Sequence, residues 1–178
     1  MSYLAGQLLV ASPRLVDPNF ARTVVVLLNH DEQGAMGLVA NRPTESPVAD
    51  HLPEWGDRLV APAVVFYGGP VEPSIAIGLR QSYDTSDGGT PVPGVGMVNL
   101  AEEEAEATQG GVRVYAGYAG WGPGQLEDEI EEESWIIVPG FATDVFSPSP
   151  DRLWAEVLGR QGGKIALLAS MPVDPQLN

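Results

Sequence analysis

The segment from residue 22 to residue 42 restricts the fold more than any other part of the chain. Six apolar or β-branched residues follow one another from Thr23 to Leu28, and such a run is typical of a strand that is covered on both faces. The polar turn "DEQG" (31–34) and a second apolar stretch (35–42) come directly after it. Two strands joined by a short polar turn predict a β-hairpin whose first strand lies inside a sheet.

The rest of the chain predicts more strands than helices, and the two do not alternate strictly. This order favours an α+β fold with a mixed sheet over a doubly wound α/β fold, and the length of 178 residues favours one domain, 1–178. A polar loop is expected over 81–94. The further strands are expected at 7–12, 63–69, 74–80, 112–120, 134–140 and 164–170, and the helices at 46–52, 99–111, 124–133 and 149–159.

The charge balance argues against two classes of partner. Nine basic residues, of which only Lys164 is a lysine, stand against 24 acidic ones, for a net charge of −15. No stretch offers the basic surface that neutralises nucleic-acid phosphates or adsorbs to anionic lipid. We therefore expect no direct binding of DNA and no membrane association. The first residues resemble neither a signal peptide nor a membrane span, so the expected compartment is the cytoplasm.

The residue types needed for common catalytic chemistry are scarce. The chain has no cysteine, which excludes disulfides and thiolate catalysis, and its two histidines are His30 and His51. No G-x-S-x-G elbow accompanies them, and no spacing typical of a zinc or calcium site is present. A catalytic triad is not expected, nor is a bound metal or cofactor.

The stretch "GYAGWGPGQLEDEIEEESW" (117–135) places a strand, a glycine-rich bend and an acidic helix one after another. This order is that of a phosphate cradle, but the acids in the first helical turns would repel a phosphate. One interpretation is structural, with the glycines letting the chain fold back and Trp121 packing inside. The alternative is a binding pocket that uses backbone amides and Gln125.

Several long stretches together resemble the AlgH/YqgE family of bacterial proteins. The first is "GQLLVASPRLVDPNFARTVVVLLNHDEQGAMGLVANRP", which contains the family's D-P-x-F-x-R-[ST]-V, its histidine, G-A-M-G-[LI] and N-[RK]-P. The family's G-G-P is present at 68–70, and its G-Y-A-[GS]-W-x-x-G-Q-L-E-x-E-[IL] at 117–130. We call these stretches the signature. The resemblance covers nearly the whole chain and is weakest over 44–62 and 81–94.

The resemblance implies a mixed sheet that curls into a small closed barrel flanked by helices. It implies little about activity, because the family is largely uncharacterised; its label of transcriptional regulator comes from a link to alginate synthesis. The leading hypothesis is a binding or regulatory protein without catalysis, whose partner is a protein or a small molecule. A small-molecule-binding protein or enzyme with a pocket of signature residues is the alternative, and a transcriptional regulator is the third.

The candidate binding residues are the polar and special residues of the signature. Among them, His30 is the plausible acid–base group near neutral pH, and Arg22 is the obvious anion-binding group. Because Glu127 and Glu129 match the signature while their acidic neighbours do not, one of them is expected to pair with Arg22 or Arg42, unless all the acids are solvent-exposed. The full set is Arg22, His30, Asn41, Arg42, Gly69, Trp121, Gln125, Glu127 and Glu129.

Overall fold

A computed structural model describes residues 3–82 and 89–171 and contains nine strands and four α-helices within them. The strands are β1 (Gln7–Ala11), β2 (Val24–Asp31), β3 (Gly34–Val39), β4 (Pro43–Pro47), β5 (Val64–Tyr67), β6 (Val71–Gln81), β7 (Val95–Val98), β8 (Val112–Trp121) and β9 (Trp135–Pro139). The helices are α1 (Gln125–Glu131), α2 (Ala142–Val145), α3 (Pro150–Gly159) and α4 (Gly163–Leu168). Short 3₁₀ turns lie at Val48–Asp50, Pro53–Arg58 and Ala105–Ala107.

The predicted hairpin is confirmed and lies inside the sheet. β2 pairs antiparallel with β3, with Val26 opposite Leu38, and β1 pairs with the other edge of β2. The side chains from Val24 to Leu27 are all fully buried. The apolar run therefore does what its composition predicts, since alternate residues fill the cores on opposite faces of one strand.

The α+β class with a mixed sheet is confirmed, but the closed barrel is wrong. The strands pair in the order β4-β5-β8-β3-β2-β1-β9, and β6 pairs with β8 and β7 outside this path. Within the described residues the two end strands, β4 and β9, do not pair with each other. The sheet branches at β8, which pairs parallel with β5 and antiparallel with β6 and β3. Prolines in both end strands lack the N–H that a closing ladder needs.

Helices cover both faces of the central strands. On one face, α3 contributes Leu153, Trp154, Val157 and Leu158, the apolar face expected from the sequence. On the other face, Leu126 of α1 packs with Trp121, Trp135 and the inward residues of β1 and β2. A smaller cluster surrounds Trp55 beside β8. α1 is thus held over the edge of the hairpin, next to His30.

Three elements differ from their prediction. The expected strand 164–170 is α4, which begins at Gly163, and Gly162 and Gly163 are both at positive φ. The expected helix 99–111 is mostly turns around one 3₁₀ turn, although Asn99 accepts the N–H groups of Ala101 and Glu102 as a cap does. The expected helix 46–52 is a single 3₁₀ turn. Of the expected loop 81–94, residues 83–88 lie outside the described residues.

Candidate functional site

Glu129 of α1 is hydrogen-bonded to two tryptophans. Its Oε1 atom accepts the indole N–H of Trp121 at 3.1 Å and that of Trp135 at 2.9 Å. Its Oε2 atom accepts the side-chain amide of Gln125 at 2.9 Å. Phe20 lies against both indoles, with ring centroids 6.2 and 5.7 Å away. The carboxylate therefore satisfies and orients two largely buried indoles.

The glycine-rich bend is held by a hydrogen bond to a side chain of α1. The Oε1 atom of Gln125 accepts the backbone N–H of Gly122 at 3.0 Å, and Trp121 is only 6% exposed. The prediction that Trp121 packs inside is confirmed. Because Gln125 uses both ends of its amide on this bend and on Glu129, the geometry favours the structural interpretation of the bend over a binding pocket that uses backbone amides and Gln125.

His30 is buried and hydrogen-bonded through both ring nitrogens. Its Nδ1 atom accepts the backbone N–H of Leu4 at 3.0 Å, and its Nε2 atom contacts Glu127 Oε1. An accepting Nδ1 carries no proton, so the proton lies on Nε2 and is donated to the carboxylate. This hydrogen bond, followed by one from the backbone of Glu127, lowers the pKa of Glu127 below its ordinary value. The imidazole has no nitrogen left for a substrate.

Asn41 and Arg42 hold the signature loop that precedes β2. Asn41 donates to the carbonyl of Arg22 and accepts the N–H of Val24, both at 2.9 Å. The guanidinium of Arg42 donates to the carbonyls of Pro18, Asn19 and Ala21 at 2.7–2.9 Å, and burial lowers its pKa. These two side chains fix the loop that carries Phe20 to the tryptophans.

Arg22 and Gly69 also have structural partners. Arg22 is at φ +56°, and its guanidinium lies 4.3 Å above the ring of Trp154 and donates to the carbonyl of Met171. Gly69 is at φ +153°, where a Cβ atom would come within 2.1 Å of the carbonyl carbon of Tyr118. Only glycine fits such an approach of two chain segments.

The predicted pairing of a signature glutamate with an arginine is wrong. Within the described residues, Glu127 pairs with His30 and neither glutamate forms an ion pair with Arg22 or Arg42. The arginines bind carbonyls instead: Arg42 binds three in the loop before β2, and Arg22 binds that of Met171. The open alternative, that all the acids of the helix are solvent-exposed, is also wrong, because Glu127 and Glu129 are partly buried.

The nine candidate residues lie apart from four surface cavities of the described residues. Four surface cavities have volumes of about 490–630 Å³, and none of the nine candidate residues lines any of them. One cavity, of about 540 Å³, lies between the ends of β1 and β9, the C-terminal end of α1, and α4. We call it the α4 groove. It is lined by Ser12, Pro13, Arg14, Ile130, Glu133, Trp135, Ile136, Ile165, Leu168 and Met171.

The α4 groove has mostly apolar walls and one unsatisfied polar atom. Ser12 is 6% exposed, and its hydroxyl is buried without a hydrogen-bond partner. At the rim, Arg14 and Glu133 form an ion pair of 3.0 Å, with both side chains at least 75% exposed. The sequence did not indicate this site, because its walls come from segments far apart in the chain and Ser12 resembles an ordinary strand-end serine.

A second pair missed by the sequence analysis involves the other histidine. Ser46 Oγ lies 2.8 Å from His51 Nε2 beside a cavity of about 490 Å³. Within the described residues, no acidic side chain is hydrogen-bonded to His51 to orient it, as a nucleophilic triad requires. The pair spans one 3₁₀ turn and fits a local turn contact.

Comparison with known proteins identifies the family. The profile described as AlgH-like matches residues 8–166. The chain belongs to the AlgH-like family. A UPF0301 protein of Streptomyces avermitilis is 48% identical over 191 residues, covering 100% of this chain and 97% of that protein. A UPF0301 protein of Streptomyces coelicolor is also 48% identical, over 187 residues, with the same coverage.

Two solved structures of the family agree with the fold. A crystal structure of a Corynebacterium diphtheriae protein superposes with a TM-score of 0.86 at 28% identity and covers 96% of this chain and 94% of that one. The solution structure of the AlgH protein from Pseudomonas aeruginosa gives a TM-score of 0.68 at 30% identity, covering 96% and 95%. The two Streptomyces proteins and the Pseudomonas protein are called UPF0301 proteins, and these names state no activity.

The described residues contain neither a membrane-spanning helix nor a cluster of metal-binding side chains. No described helix has the length and apolarity needed to cross a bilayer. Among the same residues, no three histidine, aspartate or glutamate side chains are grouped closely enough to hold a metal ion.

Proposed function

We propose that this protein is a binding protein without catalysis of its own and that its ligand site is the α4 groove. The observation that carries this proposal is the groove itself, a largely apolar cavity of about 540 Å³ with Trp135 and residues of α4 among its walls. Ligand pockets in proteins are typically ~300–1,000 Å³ and combine apolar walls with few polar groups. The ligand would be a cytoplasmic one, in line with the compartment expected from the sequence.

Residues of the signature support this proposal because they hold one wall of the groove in place. Trp135 forms one wall of the groove, and its indole is held by Glu129, which also holds Trp121. Arg42 fixes the loop whose Phe20 packs on the same indoles. The nine candidate residues would then act on binding indirectly, through the position of the groove's wall.

The two other hypotheses have less support. An enzyme with a pocket of signature residues needs those side chains to converge on a cavity, and they are bonded to one another or to backbone instead. A DNA-binding regulator needs basic surface, and the net charge is −15. A regulatory role would therefore act through a bound small molecule or a protein partner rather than through DNA.

Thermal-shift screening with matched variants tests the proposal. The screen uses a metabolite library with the wild type, Leu168→Trp, which fills the groove, and Leu167→Trp, which places the same indole on an exposed position of the same helix. A ligand at 100 times its Kd stabilises by about 2.7 kcal/mol, or roughly 5–10 °C for a chain of this size. We expect hits that stabilise the wild type and Leu167→Trp but not Leu168→Trp.

Two results would contradict the proposal. One is a screen in which no compound gives a stabilisation that depends on the groove. The other is a hit that survives Leu168→Trp but is lost in His30→Gln or Gln125→Ala, which would favour a site among the signature residues. A second filling variant, Met171→Trp, guards against loss of folding in Leu168→Trp, because Met171 also lines the groove and is 37% exposed.

A further inference from the structure

The N-terminal segment, residues 3–5, is attached to the fold through the ring of His30. The backbone N–H of Leu4 donates to His30 Nδ1 at 3.0 Å, and the ring of Tyr3 stands edge-on to the imidazole at a centroid distance of 5.2 Å. Among the described residues, the other hydrogen bond of this segment is local, since the carbonyl of Leu4 accepts from Gln7. The side chains of the segment are exposed or half-buried. The hydrogen bond to His30 is therefore a main attachment of the segment.

Protonation of His30 is incompatible with this hydrogen bond. In the neutral ring, Nδ1 accepts from Leu4 and Nε2 donates to Glu127. An imidazolium carries a proton on both nitrogens, so Nδ1–H and the N–H of Leu4 would point at each other. Turning the ring over does not help, because either nitrogen then presents a proton to Leu4. The His30 side chain is 1% exposed, so water reaches the new N–H only if the segment moves.

One group beside the ring stabilises an imidazolium. Glu127 on α1 already bonds to Nε2, and this hydrogen bond becomes charge-assisted when the ring is charged. The other titratable groups next to the ring are Tyr3 and the exposed Asp31, which follows on β2, while β3 places the non-titratable Ala35 opposite. Uptake of a proton therefore strengthens the bond to α1 and removes the bond to the segment.

We propose that His30 is a proton-operated latch for the N-terminal segment. When Nδ1 takes up a proton, Leu4 is released and the segment opens about Gly6, which lies at φ +92°. Opening moves Tyr3 and Leu4 away from the imidazole and gives water access to the ring. Histidine is the side chain suited to such a switch near neutral pH. None of these residues lines the α4 groove, so the latch is separate from the ligand site proposed above.

Nuclear magnetic resonance of the isotope-labelled full chain, between about pH 8 and pH 5, tests the latch. The nitrogen shifts of the His30 ring report which nitrogens carry protons, and the hydrogen-exchange protection of the Leu4 amide reports its hydrogen bond. We expect Leu4 protection to fall by at least ~fivefold with the same midpoint as uptake of the second ring proton. The protection of Leu8 in β1 should stay constant, and the nuclear Overhauser contacts between the rings of Tyr3 and His30 should disappear.

Three variants assign the effect. His51→Gln removes the other histidine, which is exposed, and should leave the pH response of Leu4 unchanged. His30→Gln should make Leu4 protection independent of pH. Glu127→Gln removes the carboxylate that stabilises the imidazolium, so the midpoint should move to lower pH. This third variant, with the wild-type titration, decides the matter if His30→Gln does not fold.

The latch is overturned if the Leu4 amide keeps its protection while the ring takes up its second proton. It is also overturned if the ring stays singly protonated down to the pH at which the whole protein unfolds, or if Leu8 loses protection together with Leu4. A pH response that persists in His30→Gln, or a midpoint that Glu127→Gln does not move, contradicts it as well.

Discussion

The indole N–H of Trp135 donates to Glu129 at a distance of 2.9 Å. Glu129 belongs to the signature stretch 117–130, whereas Trp135 forms a wall of the α4 groove. The same carboxylate oxygen also accepts the indole N–H of Trp121. One acidic side chain on α1 therefore couples the bend after β8 to the wall of the candidate ligand site.

Removing this carboxylate is expected to destabilise the fold. Glu129→Ala leaves two largely buried indole N–H groups without an acceptor, and each unsatisfied group costs about 1–3 kcal/mol. Because the losses are not additive, we expect the free energy of unfolding to fall by roughly 2–4 kcal/mol. Urea denaturation measures this change.

Two variants serve as controls for Glu129. Glu129→Gln keeps an accepting oxygen and is expected to lose less than Glu129→Ala. Glu131→Ala removes an exposed acid from the same helix and is expected to change stability by less than about 0.5 kcal/mol. Equal effects of Glu129→Ala and Glu131→Ala would show that the indole contacts contribute nothing.

The contact between Glu127 and His30 predicts a pH dependence of stability. The hydrogen bond from His30 lowers the pKa of Glu127 below its ordinary value of 4.5. A carboxyl whose pKa is depressed in the folded state stabilises fully above its unfolded value and loses that contribution as the pH falls through the folded value. Urea denaturation from about pH 6 to pH 3 should show a steeper loss for the wild type than for Glu127→Gln.

The exposed Asp128 provides the matched control for this titration. Asp128→Asn removes an acid from the same turn of α1 but not the contact with His30, so its curve should keep the steeper wild-type slope. Parallel curves for the wild type and Glu127→Gln would show that His30 does not stabilise the ionised carboxyl.

The sequence correctly predicted the elements whose own pattern of apolar residues shows which faces are buried. The apolar run of β2 and the amphipathic, Ser-Pro-initiated α3 both lie where they were expected. The strand expected at 164–170 is helix α4, because a short apolar stretch alone does not distinguish the two and the neighbouring segments decide. Closure of a sheet is likewise a long-range property, which no local pattern reports.

The candidate site was predicted only in part for a similar reason. That the nine candidate residues bind a ligand stays a prediction, but the expected partner of the signature glutamates was wrong: Glu127 binds His30 and Arg42 binds carbonyls. The prediction considered only pairs of opposite charge. It left out the backbone carbonyls of the 17–22 loop, which lie within hydrogen-bond distance of Arg42. The α4 groove was missed because Ser12 and α4 are about 150 residues apart, and only the tertiary structure joins them.

The hydroxyl of Ser12 is expected to contribute nothing to the stability of the unliganded protein. Because this buried group has no partner, Ser12→Ala should leave the free energy of unfolding unchanged or raise it by up to about 1 kcal/mol. Thr23→Val is the contrast, since the buried Thr23 hydroxyl donates to the carbonyl of Phe20 at 2.7 Å and its loss should cost about 1 kcal/mol. A comparable loss in Ser12→Ala would mean that its hydroxyl is already bonded inside the fold.

Duplex DNA is expected not to bind. The net charge of −15 and nine basic residues in total provide no phosphate-neutralising surface. A gel-shift assay with random-sequence DNA at ~150 mM salt and micromolar protein should show free DNA only. A shift that weakens as salt increases would restore the regulator hypothesis.

The shape of the Arg42 guanidinium, rather than its charge alone, is expected to stabilise the fold. The fork donates to three carbonyls of the 17–22 loop, and an ammonium group cannot match that geometry. Arg42→Lys should therefore lower the free energy of unfolding by about 1–3 kcal/mol, whereas Arg152→Lys on the exposed face of α3 should change it by less than about 0.5 kcal/mol. Because the loop presses Phe20 onto Trp121 and Trp135, the tryptophan fluorescence of folded Arg42→Lys should also change. An unchanged spectrum and stability would show that charge alone suffices, and that the loop is held by its own turns.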